Sequence, residues 1–86
     1  MITAWDEEAW ADYVYWQGQD KKVLKKINEL IKDIVRNGTK GLGKAEKLKY
    51  MNGDWYSRRI DKVNRLVFRI VENRLEIIQC RNHYND

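Results

Sequence analysis

The sequence has no proline, one cysteine and one histidine. A lone cysteine, Cys80, excludes an internal disulfide, and one Cys with one His cannot build a zinc site. No apolar run approaches the ~20 residues that cross a bilayer as a helix. There is no glycine-rich phosphate loop of the Walker or dinucleotide type. No metal, no cofactor and no membrane partner are therefore expected. The first twenty residues hold no Lys or Arg, so the opening MITAWDEEAW lacks the basic start of a secretory signal. The expected location is the cytoplasm.

What is present is charge, and it is unevenly placed. Residues 1–20 carry Asp6, Glu7, Glu8, Asp12 and Asp20. The remaining residues carry all 17 basic side chains. A basic surface of this kind attracts polyanions, although ordinary solubilising charge has the same composition. Eighty-six residues make one domain, 1–86, with a small core in which four Trp and five Tyr can bury large areas each.

Local patterns give an order of elements. Ile2–Trp5 is β-prone. Asp6 reads as a helix N-cap, with Glu7 and Glu8 on the positive end of the dipole. Ala9, Trp10, Tyr13 and Val14 form an apolar stripe, continuing weakly to Trp16, that is expected to face the core. Asp20 caps a second helix, in which Val23, Ile27, Leu30, Ile31 and Ile34 fall on one face. Asn37-Gly38 stops it. Three strands come next, in WYSRRID, NRLVFRIV and RLEIIQCRN, with turns near Asp61–Asn64 and at Glu72-Asn73. The expected fold is α+β, in the order β-α-α-β-β-β. A helical hairpin packs on one face of a small, mostly antiparallel sheet.

Strand alternation gives the sheet two unlike faces. Leu66, Phe68 and Ile70 share the core side. Arg65, Val67 and Arg69 share the other, with Ser57 and Arg59 alternating on the strand before. Cys80 is expected as a small apolar core residue rather than a reactive thiol. Arg65, Arg59 and Arg81 are candidate phosphate clamps, because the guanidinium fork matches phosphate oxygens. His83 titrates in the range that proton transfer needs. Glu46 in KAEKLK offers a base or an acceptor, and Tyr84 a ring that can stack on a base. Cleaving RNA without a metal needs such parts: a base, a cation and an acid. Each residue also has a plain reading. His83 fits a solvated strand end, Glu46 a surface ion pair, Arg58-Arg59 a solvated pair and Tyr84 a packing residue.

Four stretches, in one order, resemble a known family. WDEEAWADYVYWQGQDKKVLKKINELIKDI is similar to the opening helices of the YoeB/Txe-type toxins of bacterial toxin–antitoxin systems, within the RelE-like fold group. GLGKAEKLK resembles that family's G-x-G-K-P-E-P-L-K loop. SRRIDKVNRLVF resembles its S-R-R-I-x-x-x-x-R-L-V-Y strands, and CRNHY its terminal K/R-x-H-Y. The resemblance implies a ribosome-dependent endoribonuclease that cuts A-site mRNA by 2′-OH attack, without a metal. By position it implies Glu46 as general base, Arg65 as stabiliser of the phosphate transition state with Arg59 assisting, His83 as general acid and Tyr84 as a positioning group. Lys49, Lys44 and Arg81 would contact RNA. The implied partners are the 70S ribosome with its A-site mRNA, and a YefM-like antitoxin with an acidic, partly disordered segment. A homodimer is implied for the free toxin.

Some positions depart from the family pattern. Ala45 and Lys47 replace the prolines beside Glu46, and Lys47 adds a cation next to it. Tyr56 stands where the family has Trp, and Asn85 and Asp86 follow the tyrosine. A gyrase-directed inhibitor on the same scaffold and a non-catalytic basic nucleic-acid-binding module are the alternatives. The gyrase-poisoning relatives lack this set of Glu, Arg and His-Tyr.

Overall fold

Asp20 joins the two helices by serving both. In this computed structural model, which describes residues 1–40 and 45–82, its backbone N–H donates to the Trp16 carbonyl and closes α1 (Glu7–Gln19). Its carboxylate accepts from the N–H groups of Lys22 and Val23, at 3.0 and 3.3 Å, and so opens α2 (Lys21–Asn37). A one-residue connection forces the helices into a tight hairpin. Asp6 caps α1 by accepting from the Glu8 N–H, as expected. Gly38, at φ +65°, ends α2 in a backbone region that favours glycine.

The sheet is five-stranded, in the order β1-β5-β4-β3-β2. Its strands are β1 (Ile2–Trp5), β2 (Glu46–Lys47), β3 (Tyr56–Arg59), β4 (Arg65–Val71) and β5 (Arg74–Gln79). β1 runs parallel to β5 and the other pairs are antiparallel. The α+β arrangement is as the sequence predicts, with one addition: the short strand β2 extends the sheet beside β3. The β4–β5 hairpin turns on Glu72 and Asn73, both at positive φ (47° and 61°), the conformation of a two-residue hairpin turn.

The helices cover one face of the sheet. Val23, Ile27, Leu30 and Ile34 of α2 meet Leu66, Phe68, Leu75 and Ile77 of the sheet. Each such side chain contributes roughly 1.5–3 kcal/mol by leaving water. The stripe expected on α1 is only partly right. Ala9 and Trp16 are buried, but Trp10 and Val14 are about half exposed. The inward face of α1 is Ala9, Asp12 and Trp16, so a polar residue occupies a position that hydrophobicity alone does not mark.

A bulge in β5 sets the direction of the residues after it. Val67 pairs with Gln79 and Phe68 with Ile77, so Ile78 is an extra residue. Simple alternation would put Cys80 on the side of Glu76; the extra residue turns it into the core, where it is fully buried. Burial, with Asp12 nearby, pushes its thiol up to about 12, far from a reactive thiolate. The same bulge leaves Gln79 on the uncovered face beside Val67.

Arg58 is not the solvated residue that the Arg58-Arg59 pair suggested. It lies on the helix side of β3 and is 2% exposed. Its guanidinium donates to Asp33 of α2 at 2.5 Å, fastening α2 to the sheet. The hydrogen bond from Arg58, then that from Asn37, holds the Asp33 carboxyl below its ordinary value. A carboxyl depressed by folding adds stability above its unfolded pKa of ~3.9, and that stability is lost as pH falls through the folded value. Asp33→Asn is therefore expected to flatten the fall of Tm between about pH 4 and pH 2. Thermal melts across that window check this, and an unchanged acid slope would contradict it.

Candidate active site

The face of the sheet away from the helices carries the polar residues. Alternation puts Glu46 of β2, Ser57 of β3, and Arg65 and Val67 of β4 on this side. The strand pairing then closes distances that the sequence leaves wide. Glu46 pairs with Ser57, and Ser57 with Val67. The Arg65 side chain reaches back across β3, donating from Nε to the Ser57 hydroxyl at 2.8 Å and from Nη2 to Glu46 Oε2 at 3.0 Å. Ser57 is buried, Arg65 about one-third exposed and Glu46 about two-thirds exposed. The guanidinium is thus fixed at its root, and Arg65 lines an open cleft of about 260 Å³.

That cleft is also bordered by Gln79 and Asn82. Asn82 is held by a side-chain network in the β3–β4 turn. Asp61 Oδ1 accepts from the N–H groups of Val63 and Asn64, at 2.8 and 2.7 Å, and both Asp61 oxygens accept from Asn64 Nδ2. Burial works to raise the Asp61 carboxyl, but these hydrogen bonds prevail and hold it below its ordinary value. Asn64 Oδ1 then accepts from the Asn82 N–H at 2.9 Å, and Asn82 Nδ2 donates to the Val63 carbonyl at 2.8 Å. Two residues earlier, the Trp16 indole N–H donates to the Cys80 carbonyl at 2.9 Å. The segment after β5 is therefore tied at Cys80 and again at Asn82, beside the cleft.

The fold brings together only some of the residues singled out from the sequence. Glu46 and Arg65 meet. Arg59 is exposed and pairs with Arg65 in register, but it borders a neighbouring cleft with Lys26, Glu29 and Asp33. Lys49 is exposed on the turn after β2. Arg81 is not at the cleft: its guanidinium stacks on Tyr15 of α1, 3.6 Å from the ring centre. His83, Tyr84 and Lys44 lie outside the described residues.

Lys47 behaves differently from its position in the sequence. It comes directly after Glu46 but sits in β2 and so points to the opposite face. Its ammonium pairs with Asp54 at 3.1 Å, and that hydrogen bond raises its pKa. The cation on Glu46 is Arg65. Pairing of β2 with β3 also restrains the backbone at Glu46, at the place where the family pattern has prolines.

Sequence reasoning gave no role to Ser57, Asp61, Asn64 or Asn82. The Asp-x-x-Asn spacing at 61–64 is a recognisable side-chain-to-backbone turn signal. Nothing local marks Asn82 as its partner.

The chain's relatives have the same extent and fold. It is 50% identical over 84 residues to Toxin YoeB of Escherichia coli strain K12, covering 98% of this chain and all of that one. The heterotetrameric YoeB–YefM toxin–antitoxin complex from Staphylococcus aureus contains a chain that superposes with a TM-score of 0.90 at 46% identity, covering 98% of both chains. The Staphylococcus aureus YoeB dimer superposes with a TM-score of 0.87, at the same identity and coverage. Residues 5–84 match the family described as the YoeB-like toxin of bacterial type II toxin–antitoxin systems. With a family match across nearly its whole length and half-identical relatives of equal size, the chain belongs to the YoeB-like toxins of type II toxin–antitoxin systems.

Proposed function

We propose that this toxin is a ribosome-dependent endoribonuclease that cuts mRNA within the A-site codon. The observation that carries the reading is Arg65, tethered by Ser57 and Glu46 at the edge of an open cleft. A carboxylate and a guanidinium at 3.0 Å supply two of the three parts that cleavage needs. Glu46 takes the proton from a ribose 2′-OH, and that oxygen attacks the adjacent phosphorus. Arg65 steadies the charge that grows on the phosphate oxygens. Its contact with Ser57 lets the fork stay aimed when Glu46 turns to the hydroxyl. His83 protonates the departing 5′-oxygen, and Tyr84 helps to place the phosphate. The products are a 2′,3′-cyclic phosphate, or the 3′-phosphate from its opening, and a 5′-OH. Every group in this scheme is a side chain, so it calls for no metal.

Lys49 and Lys44 are RNA contacts in this reading, and Arg59 adds positive potential beside Arg65. Arg81, stacked on Tyr15, contributes to binding only away from the scissile nucleotide. A cognate YefM-like antitoxin, with an acidic segment that folds on binding, covers the basic face. The complex and dimer named for the Staphylococcus aureus relatives support an antitoxin partner and a homodimer here.

The test is a purified translation system with 70S ribosomes stalled on a defined A-site codon. The expected result is a cut inside that codon, leaving a cyclic or 3′-phosphate and a 5′-OH, and no cut in the same mRNA without ribosomes. Intact mRNA together with gyrase-dependent DNA breaks would favour the gyrase-directed alternative. Salt-sensitive RNA binding with no cleavage products would favour the non-catalytic module.

A further inference from the structure

Tyr50 is 82% exposed, the most exposed large apolar side chain among the described residues. Other outward rings have partners. Trp10 packs on Trp5 and Tyr13, and Tyr15 lies under Arg81. Tyr50 has no ring, cation or hydrogen-bond contact among the described residues. A single exposed tyrosine is ordinary on a protein surface. This one stands at the rim of the Glu46–Arg65 cleft.

The cleft offers both kinds of chemistry. Glu46, Ser57, Arg65, Gln79 and Asn82 line it with polar groups and Leu48, Tyr50 and Val67 with apolar ones, Val67 lying in the cross-strand row between Ser57 and Gln79. Val67 is 6% exposed although it lies on the uncovered face, and Leu48 is half-buried. A nucleotide has both characters, an anionic phosphate with a polar ribose and a flat base with an apolar face. With the phosphate on Arg65, a free aromatic ring at the rim of the same cleft can lie against the base.

We propose that Tyr50 stacks on the base of the nucleotide whose phosphate Arg65 holds, and that it helps set which A-site codons are cut. The inference rests on the nuclease reading above. Stacking tolerates any base but is stronger for the larger purine surface, so Tyr50 biases cleavage towards a purine at that position. A contact made equally in the bound and transition states raises affinity without raising turnover.

The experiment uses the full chain on 70S ribosomes stalled with 2-aminopurine at each A-site position in turn. A 2′-deoxy residue at the scissile nucleotide blocks cleavage. Wild type and Tyr50→Phe are expected to quench the fluorescence at one position, and Tyr50→Ala is not. On cleavable mRNA, Tyr50→Ala should raise KM about tenfold or more, leave kcat within about twofold and weaken the purine preference. Equal quenching by wild type and Tyr50→Ala, or unchanged KM and preference, would overturn the assignment. If wild type leaves cleavable mRNA intact, the nuclease reading fails, while quenching on the uncleavable codon still decides whether Tyr50 stacks.

Discussion

Arg65→Ala is expected to slow A-site cleavage by about 10³-fold while the protein stays folded. The Arg65 side chain lines the cleft, and Ser57 and Glu46 fix the direction of its guanidinium. Its loss removes charge stabilisation that grows only as the reaction proceeds, so kcat falls more than KM rises. The cost to the fold is small. The Arg65–Glu46 pair is solvent-exposed enough to add little stability, and removing the Arg65 side chain opens the Ser57 hydroxyl, which lines the cleft, to water. A loss of about 1 kcal/mol or less is expected. Arg65→Lys separates charge from geometry. It keeps the cation but loses the fork, and should recover only part of the rate. Single-turnover cleavage and thermal melts on the same preparations check both parts. A folded Arg65→Ala that cuts at the wild-type rate would remove the proposed transition-state cation.

The second large effect is on stability. Trp16→Ala should cost about 3–5 kcal/mol, the range for truncating a buried Trp or Phe. Trp16 is 9% exposed and packs within the core, and its indole N–H is the donor to the Cys80 carbonyl. In a chain of 86 residues each kcal/mol is worth about 4–8 °C of Tm, so a fall of about 12–40 °C is expected. Trp16→Phe keeps most of the packing but leaves that carbonyl without its donor, and should cost about 1–2 kcal/mol. The milder variant is the informative one for function. It loosens the segment after β5, three residues before His83, while leaving Arg65 and Glu46 in place. Its cleavage rate should therefore fall at temperatures where circular dichroism still reports a native fold. A Trp16→Ala variant that melts within a few degrees of wild type would mean that this anchor matters little.

Local chemistry decided the helical hairpin, and local signals revealed it. Asp6, Asp20 and Gly38 act through their own backbone neighbours, which is why capping rules found both helix ends. The central strands were legible for a similar reason, since Leu66 and Phe68 alternate with Arg65 and Val67. Long-range features were harder. Helical spacing gave α1 an apolar stripe that holds at Ala9 and Trp16, but contact with β5 and α2 turned Asp12 inward and left Trp10 and Val14 half exposed. The bulge at Ile78 has no signature in RLEIIQCRN, yet it decides that Gln79 and not Cys80 looks onto the open face. Arg58 and Arg59 are adjacent in sequence; alternation along β3 sends them to opposite faces, and Asp33 of α2 gives the buried one its partner.

The site itself divides in the same way. Resemblance to a family picked out Glu46 and Arg65, which lie 19 positions apart and meet only through the pairing of β2, β3 and β4. It did not reveal that Ser57 anchors Arg65, or that Asp61 and Asn64 hold Asn82. Those contacts arise from strand register. Lys47 shows the converse: proximity in sequence suggested a cation on Glu46, and the alternation of β2 carried it to Asp54. Tyr50 gave no pattern at all, because an exposed ring acquires meaning only from the cleft that it borders.

The decisive measurement for the nuclease mechanism is single-turnover cleavage on the stalled ribosome. It compares mRNA that carries a 2′-hydroxyl at the scissile nucleotide with mRNA that carries 2′-deoxy there. If the 2′-oxygen is the nucleophile, the first is cut, with a cyclic or 3′-phosphate end, and the second is not, with ribosome binding equal for both. Cutting of the 2′-deoxy codon at a comparable rate would contradict this mechanism, because the attacking oxygen would then come from elsewhere and the 2′-hydroxyl proton assigned to Glu46 would play no part.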